Sequence, residues 1–314
     1  MTKIKTYLSP LLLLSAAVIW GFAFSAQDAA SSVPPFTLGA LRSLLASAFL
    51  LAVIPLFDKA KKTGRHLFSK KKILDFNKPE LIGGTISGAA LAIASFFQQT
   101  GINEGTAAGK AAFITALYVV VVPIFALLLK KSSPARVWFS VILASVGFYF
   151  LSIEGDFSIA KSDLYVLACT FIFPIQILAI DKYSPVCDGV RMSCVQFITA
   201  TLVNALLAVF TEPLIDFSVI GGALFAIIFL GIGSSGVAYT LQIIGQKGVN
   251  PAVASVILSL ESVFGVVGSA IFLGKGLESR EYLGAAIVLT AVLLAEIDFK
   301  SLFKKSEGKA EENS

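Results

Sequence analysis

Ten stretches of about 20 apolar residues take up most of this chain, at 8–26, 36–57, 80–99, 107–129, 136–153, 163–180, 192–210, 218–241, 251–273 and 281–298. Each is long enough to cross a hydrocarbon core of about 30 Å. No water reaches a backbone in hydrocarbon, so every N–H and C=O must be satisfied within its own helix. An all-α integral membrane protein with ten transmembrane helices is therefore expected. Charged residues make up only 14% of the chain, against about 25% in an ordinary soluble domain. The longest connection, 58–79, is basic and too short to hold a soluble catalytic domain. With no histidine or metal cluster within a span, neither an enzyme nor a bound cofactor or metal is expected.

The stretch "GTAAGKAAFITALYVVVVP", from Gly105, has the look of a phosphate-binding loop, but the spacing fails. Three residues separate Gly105 from Gly109-Lys110, and Ala111 stands where a Walker loop needs Ser or Thr. Lys110 is instead a charge at the mouth of a membrane helix. Lys3 and Lys5 before the first apolar run resemble a secretory signal, but that run has a counterpart later in the chain, so it is read as a retained span. Cys169, Cys187 and Cys194 form no CxxC pair and read as small buried residues, and His66 reads as a solvated loop residue.

With the N-terminus inside, 20 of the 25 Lys and Arg residues fall on inner segments, 4 at outer ends, and Arg42 within the second span. By the positive-inside rule both termini lie in the cytoplasm of a cell-membrane protein. The net charge of +5 is then mainly a topology signal. The lysine-rich loop lacks aromatic interleaving, with Phe68 alone among its basic residues, so no nucleic-acid partner is expected. The expected partners are a lipid bilayer and a small-molecule substrate, with the chain a monomer or homodimer.

The chain matches itself. At an offset of 144, Gln98 meets Gln242, Gly101 meets Gly245, Ala108 meets Ala252 and Val119 meets Val263; earlier the offset becomes 153, setting Trp20 on Phe173. The division expected is 1–153, 154–298 and a charged cytoplasmic tail at 299–314. Five spans per half is odd, so the halves enter the membrane from opposite sides, giving two inverted five-helix repeats around a central cavity.

The runs "GKAAFITALYVVVVPIFALLL" and "GQKGVNPAVASVILSLESVFGVVGSAIFLGKGLESREYLGAAIVLTAVLLA", with "VIWGFAFSAQ" and "LGALRSLLASAFLL", resemble the EamA family of the drug/metabolite transporter superfamily. The resemblance implies ten helices in two inverted repeats, spans 1–4 and 6–9 around a cavity, and movement of small metabolites, amino acids or amines. Where the family commonly has "EPVF" this chain has Glu261-Ser262-Val263-Phe264, and Leu273-Gly274-Lys275 replaces "LGE". Without that proline, span 9 is expected to run straighter.

Few ionisable groups fall inside spans, where each costs about 2.5–3.5 kcal/mol on insertion scales. Glu261 lies near the midplane of span 9 and is either a structural acid or a cavity carboxylate that takes a cation or proton. Lys110 either snorkels outward or pairs with Glu261 across the cavity. Arg42 either takes a substrate carboxylate or ties helix ends through outer carbonyls or Asp28. Gln98, Gln242 and Asp28 are the gating candidates. Trp20, Tyr118 and Tyr239 could stack on a substrate, and Pro174 opens the helix beside Gln176 for a contact. The small residues of "GGTISGAA" and "GIGSSG" read as close helix packing.

The reading that results is a secondary transporter of a small organic metabolite such as an amino acid or amine. It works by alternating access, coupled to a proton through Glu261 or by exchange. The alternative is a multidrug or organic-cation exporter of the same fold, or a channel or sensor that does not transport.

Overall fold

The computed structural model describes residues 2–63, 75–152, 159–213, 217–273 and 278–296. Expectations resting on His66, Lys275 and the tail from 299 fall outside them. Every regular element among the described residues is helical: α1 (Thr2–Ala29), α2 (Pro35–Thr63), α3 (Lys78–Asn103), α4 (Ala108–Ala116), α5 (Tyr118–Leu128), α6 (Ala135–Ser152), α7 (Lys161–Tyr183), α8 (Gly189–Thr211), α9 (Phe217–Gly222), α10 (Leu224–Ile228), α11 (Tyr239–Gly245), α12 (Pro251–Leu258), α13 (Glu261–Leu273) and α14 (Ser279–Glu296). A wide π-helical segment, Phe229–Ala238, joins α10 to α11. Eight rods among the described residues are long and apolar enough to cross a membrane, with α4–α5, α10–α11 and α12–α13 each making one. The apolar helix α6 is shorter, and α14 carries Arg280, Glu281 and Glu296 within its 18 residues. These two pack along each other, where Gly147 and Gly284 bring the backbones together.

Outward faces are apolar: Val209, Phe210 and Phe225 are 79%, 78% and 85% exposed. Water would penalise such surfaces and lipid does not. The interior, by contrast, holds buried Gln27, Arg42, Gln98, Gln176, Gln242 and Glu261. Polar groups are placed inside because hydrocarbon outside offers them no partner.

Polar ties define the two ends of the bundle. At one end the Glu212 carboxylate, at the close of α8, accepts from the backbone N–H of Phe36 (2.7 Å) and Thr37 (2.8 Å), capping the orphan donors that open α2. The same end holds Asn103 donating to Val33 O and Thr106 donating to Asp163. At the other end Arg191, starting α8, makes a bidentate pair with Asp58 of α2 (3.0 and 2.8 Å). Asp188 N–H donates to Glu80 nearby, and Lys131 pairs with Asp181. Glu80 also completes a capping box with Asn77 that fixes the start of α3.

The rods sort into two groups by packing: α1, α2, the π segment and α13 in one, α3, α4, α7 and α8 in the other. They meet mainly along α2–α8 and α4–α13. Small residues set the approach within and between them. A Cβ on Gly88 would stand 2.3 Å from Gln196 O, and one on Gly21 would stand 2.3 Å from Phe264 Cβ.

Span 9, expected to run straighter without a proline, is nonetheless not one continuous α-helix. It breaks at Ser259–Leu260, between α12 and α13, although no proline stands there. Leu260 N–H reaches back only to Ile257 O and Ser262 N–H to Ser259 O, three residues each, as in a tightened turn. Ser255, Ser259 and Ser262 turn their hydroxyls onto the carbonyls three residues before them. Such local hydrogen bonds compete with the α-helical ladder, and three of them flank the interruption. Span 4 breaks at the matching place, Leu117, whose offset partner is Glu261.

Gly21→Ala should lower the melting temperature of the purified protein, because overpacking against backbone costs about 1–3 kcal/mol. Gly109→Ala is the control: its added Cβ would meet nothing nearer than Ser269 Oγ at 3.9 Å. Melting of Gly21→Ala at or above the parent temperature would contradict the close packing of α1 on α13.

Candidate functional site

Where the two groups meet, a cavity of about 460 Å3, counting its mouth, opens in the middle of the bundle. Its walls come from seven of the eight rods, all but α8. α1 contributes Trp20, Ala23, Phe24 and Gln27, which recur every three to four residues on one helical face. Arg42 enters from α2, Gln98 from α3, Thr115 and Tyr118 from the two sides of the break in span 4. Phe173, Gln176 and Ile177 flank Pro174 on α7; Ser234, Tyr239 and Gln242 come from the π segment and α11; Leu258 and Glu261 frame the break in span 9. The breaks and the π segment all lie on the cavity wall, where irregular backbone is tolerated in a membrane protein.

Each end of the cavity is crossed by a glutamine contact between the two groups. Toward the end marked by Val33 and Asn103, Gln27 Nε2 donates to Gln98 Oε1 (2.9 Å), and Gln98 Nε2 donates to Thr115 Oγ1 (3.0 Å). Toward the opposite end, Gln176 and Gln242 exchange two hydrogen bonds, at 2.9 and 3.3 Å. A primary amide both donates and accepts, so each pair is satisfied without an ion.

Between them lie the charged groups. Arg42 Nε donates to Ser235 Oγ (3.1 Å) and Nη2 to Ser234 Oγ (3.4 Å), both neutral oxygens. Trp20 packs on Tyr239 with ring centroids 4.5 Å apart and donates through Nε1 to Ser234 O (3.3 Å). Glu261 lies beside Tyr118, and the two side chains interact.

The structure gathers most of the sequence candidates on this wall: Trp20, Arg42, Gln98, Tyr118, Gln176, Tyr239, Gln242 and Glu261. Two are corrected. Lys110 does not pair with Glu261; its Nζ bonds Asp163 Oδ2 at 2.6 Å, outside the cavity, where the same carboxylate accepts from Thr106 Oγ1 and Ala160 N–H. Asp163 opens α7, the next helix to reach that end, and is the nearer acid for a lysine one turn into α4. Asp28 is exposed and off the cavity wall; one residue turns a helix by about 100°, so it is Gln27, in phase with Trp20, that faces the cavity. Arg42 contacts Ser234 and Ser235 rather than outer carbonyls or Asp28. Sequence reasoning passed over Gln27, Thr115 and the Ser234-Ser235 pair. The spacing Trp20, Phe24, Gln27 was the available signal for the first.

Comparison with known proteins decides the family. The model of the EamA-like transporter family matches twice, over residues 8–153 and 160–296. The chain belongs to the EamA-like transporter family. It is 30% identical over 300 residues to an uncharacterized transporter of Archaeoglobus fulgidus, the match covering 94% of this chain and 87% of that one. A crystal structure with 19% sequence identity superposes with a TM-score of 0.72, covering 91% of this chain and 96% of the other, and so shares its fold. As a member of this family, the chain is a multi-pass membrane transporter.

A double-mutant cycle separates the two readings of Lys110. Lys110→Met and Asp163→Asn should couple by about 0.5–1 kcal/mol in unfolding measurements, as befits a half-exposed pair. Lys110→Met and Glu261→Gln should add within about 0.5 kcal/mol. Coupling in the second cycle and not the first would restore the cross-cavity pair.

Proposed function

We propose that this protein is a secondary transporter carrying a small organic metabolite, an amino acid, an amine or a related solute, across the cytoplasmic membrane by alternating access between two inverted halves, 1–153 and 154–298. The observation that carries the reading is the central cavity, with a buried Arg42 and Glu261 between two glutamine contacts at its opposite ends. A site closed on each side by a few neutral hydrogen bonds can open either way, because such contacts cost little to exchange for water.

The inverted halves are supported by reciprocal packing. α1 lies on α13 as α7 lies on α4, α1 and α2 lie on the π segment as α7 and α8 lie on α3, and α6 pairs with α14. The double match of the family model supports the same division. In this reading α6 and α14 complete ten crossings, and both termini lie in the cytoplasm. Each solute visit begins with one glutamine pair parted and the other closed, and ends with the two exchanged. Gln27, Gln98 and Thr115 serve the outer side and Gln176 and Gln242 the inner, while Arg42, Glu261, Tyr118, Trp20 and Tyr239 hold the solute. Glu261 carries the coupling proton, facing Tyr118, Tyr239 and Cys169 among the titratable groups around it.

Three outcomes are expected. In proteoliposomes, uptake should saturate and be stimulated by the same solute trapped inside; uptake that rises linearly and ignores trapped solute would point to a channel. Glu261→Gln should fold and exchange solute but lose net uptake driven by a pH gradient; wild-type uptake and pH dependence in this variant would leave Glu261 structural. With the three native cysteines replaced, tags at Ser32, Glu104 and Glu278 should react with an impermeant thiol reagent outside the cell, and tags at Asp75 and Val186 should not. Labelling of Ser32 and Asp75 from one side would overturn the inverted topology.

A further inference from the structure

Arg42 is a cation on the cavity wall, 7% exposed, and only one edge of its guanidinium is bonded. Nε donates to Ser235 Oγ and Nη2 to Ser234 Oγ. In the planar guanidinium these two nitrogens share the side edge. The end edge, made by Nη1 and the second Nη2 hydrogen, has no partner among the described residues. Glu261 lines the same cavity but forms no ion pair with Arg42; it interacts with Tyr118. A buried guanidinium bonded to neutral hydroxyls alone is costly to keep from water unless an anion meets it.

The backbone around Arg42 serves the bonded edge. Ser234 and Ser235 are adjacent within the π-helical segment, an irregularity frequent at functional sites, and both reach the one guanidinium. Gly231 of that segment lets α2 lie close: a Cβ there would stand 2.7 Å from Leu45 Cβ and 3.2 Å from Arg42 O. Trp20 Nε1 donates to Ser234 O, and the Trp20 ring packs on Tyr239. An aromatic surface therefore stands beside the serines that hold the arginine.

We infer that the end edge of Arg42 anchors a carboxylate of the solute, and that the cavity takes small monocarboxylates with an apolar body, amino acids such as leucine or phenylalanine included. This rests on the transport reading above and narrows it, since amines and organic cations have no group to offer the guanidinium. A carboxylate presents two coplanar oxygens to two parallel N–H donors. One guanidinium balances one negative charge, whereas a phosphate dianion would bring a second charge into the cavity without a partner. Trp20, Phe24, Phe173, Ile177 and Leu258 give the wall the apolar surface that the rest of such a solute needs.

The test is a binding series on the whole protein in nanodiscs: leucine, phenylalanine, isovalerate and phenylacetate, each beside its primary amide, with phenethylamine and inorganic phosphate. At least one acid should bind at least about tenfold more tightly than its own amide, phenethylamine or phosphate. Arg42→Gln should bring that acid down to the affinity of its amide. Arg42→Lys keeps the charge and loses the planar fork, and should cut the preference for acid over amide at least about threefold. Either variant retaining the full preference would overturn the proposal. So would phosphate or phenethylamine binding more tightly than every acid, or no acid exceeding its amide. Should Arg42→Gln fail to fold, the wild-type series and Arg42→Lys decide. Counterflow in proteoliposomes keeps the two claims apart. Exchange of phenethylamine in preference to every acid overturns the substrate class and leaves transport standing. An acid that binds with the expected dependence on Arg42 and is never exchanged upholds the site and overturns transport.

Discussion

Burying polar groups where no water can reach them is the constraint on which this molecule turns. A soluble domain hides apolar side chains and lets polar ones face solvent; here the lipid-facing surface is apolar, and Gln27, Arg42, Gln98, Gln176, Gln242 and Glu261 are turned inward. Each then needs a partner from another helix, and those partnerships set how the helices assemble. The amides find each other across the groove between the two groups. The charges at the bundle ends find cross-helix ties, Arg191 with Asp58 and Glu212 with the opening turn of α2. Within the cavity, Arg42 bonds only to serine hydroxyls and forms no ion pair with Glu261 among the described residues.

The same constraint explains why the helices break where they do. Spans 4 and 9 break at Leu117 and Ser259–Leu260, and span 8 widens into a π-helical segment at Phe229–Ala238. Each irregular stretch places residues on or directly beside the cavity wall. The breaks bring Tyr118 and Glu261 to the start of new helical segments and so aim both into the same space. Continuous helices would carry the side chains before and after the break in regular rotation. Breaks at the offset-matched positions Leu117 and Glu261 also give each proposed half a place to bend, as the proposed alternating access would require.

Much of this was legible in the sequence. Apolar runs of membrane length locate the helices, because hydrocarbon thickness fixes their size, and a lone glutamate amid "SLESVF" marks the cavity. Phase along a helix was harder to read than identity: Asp28 attracted attention as a charge, while its neighbour Gln27 has the right angle to reach Gln98. Partners distant in sequence were not legible at all. Nothing local says that Lys110 meets Asp163 rather than Glu261, since that depends on which helix ends the fold brings together. Nor does the absence of proline in span 9 foretell an unbroken helix, because three serines there bond their hydroxyls to nearby carbonyls.

The central claim is that the two glutamine contacts close the cavity in turn. It is tested most directly by cysteine pairs at Gln27 with Gln98 and at Gln176 with Gln242, each in a background free of other cysteines, and a third protein carrying both. Cross-linking either pair should stop exchange reversibly, and with one pair linked the cysteines of the other should become reactive to a water-soluble thiol reagent. A protein that forms both cross-links at once and still exchanges solute at the wild-type rate would contradict the account.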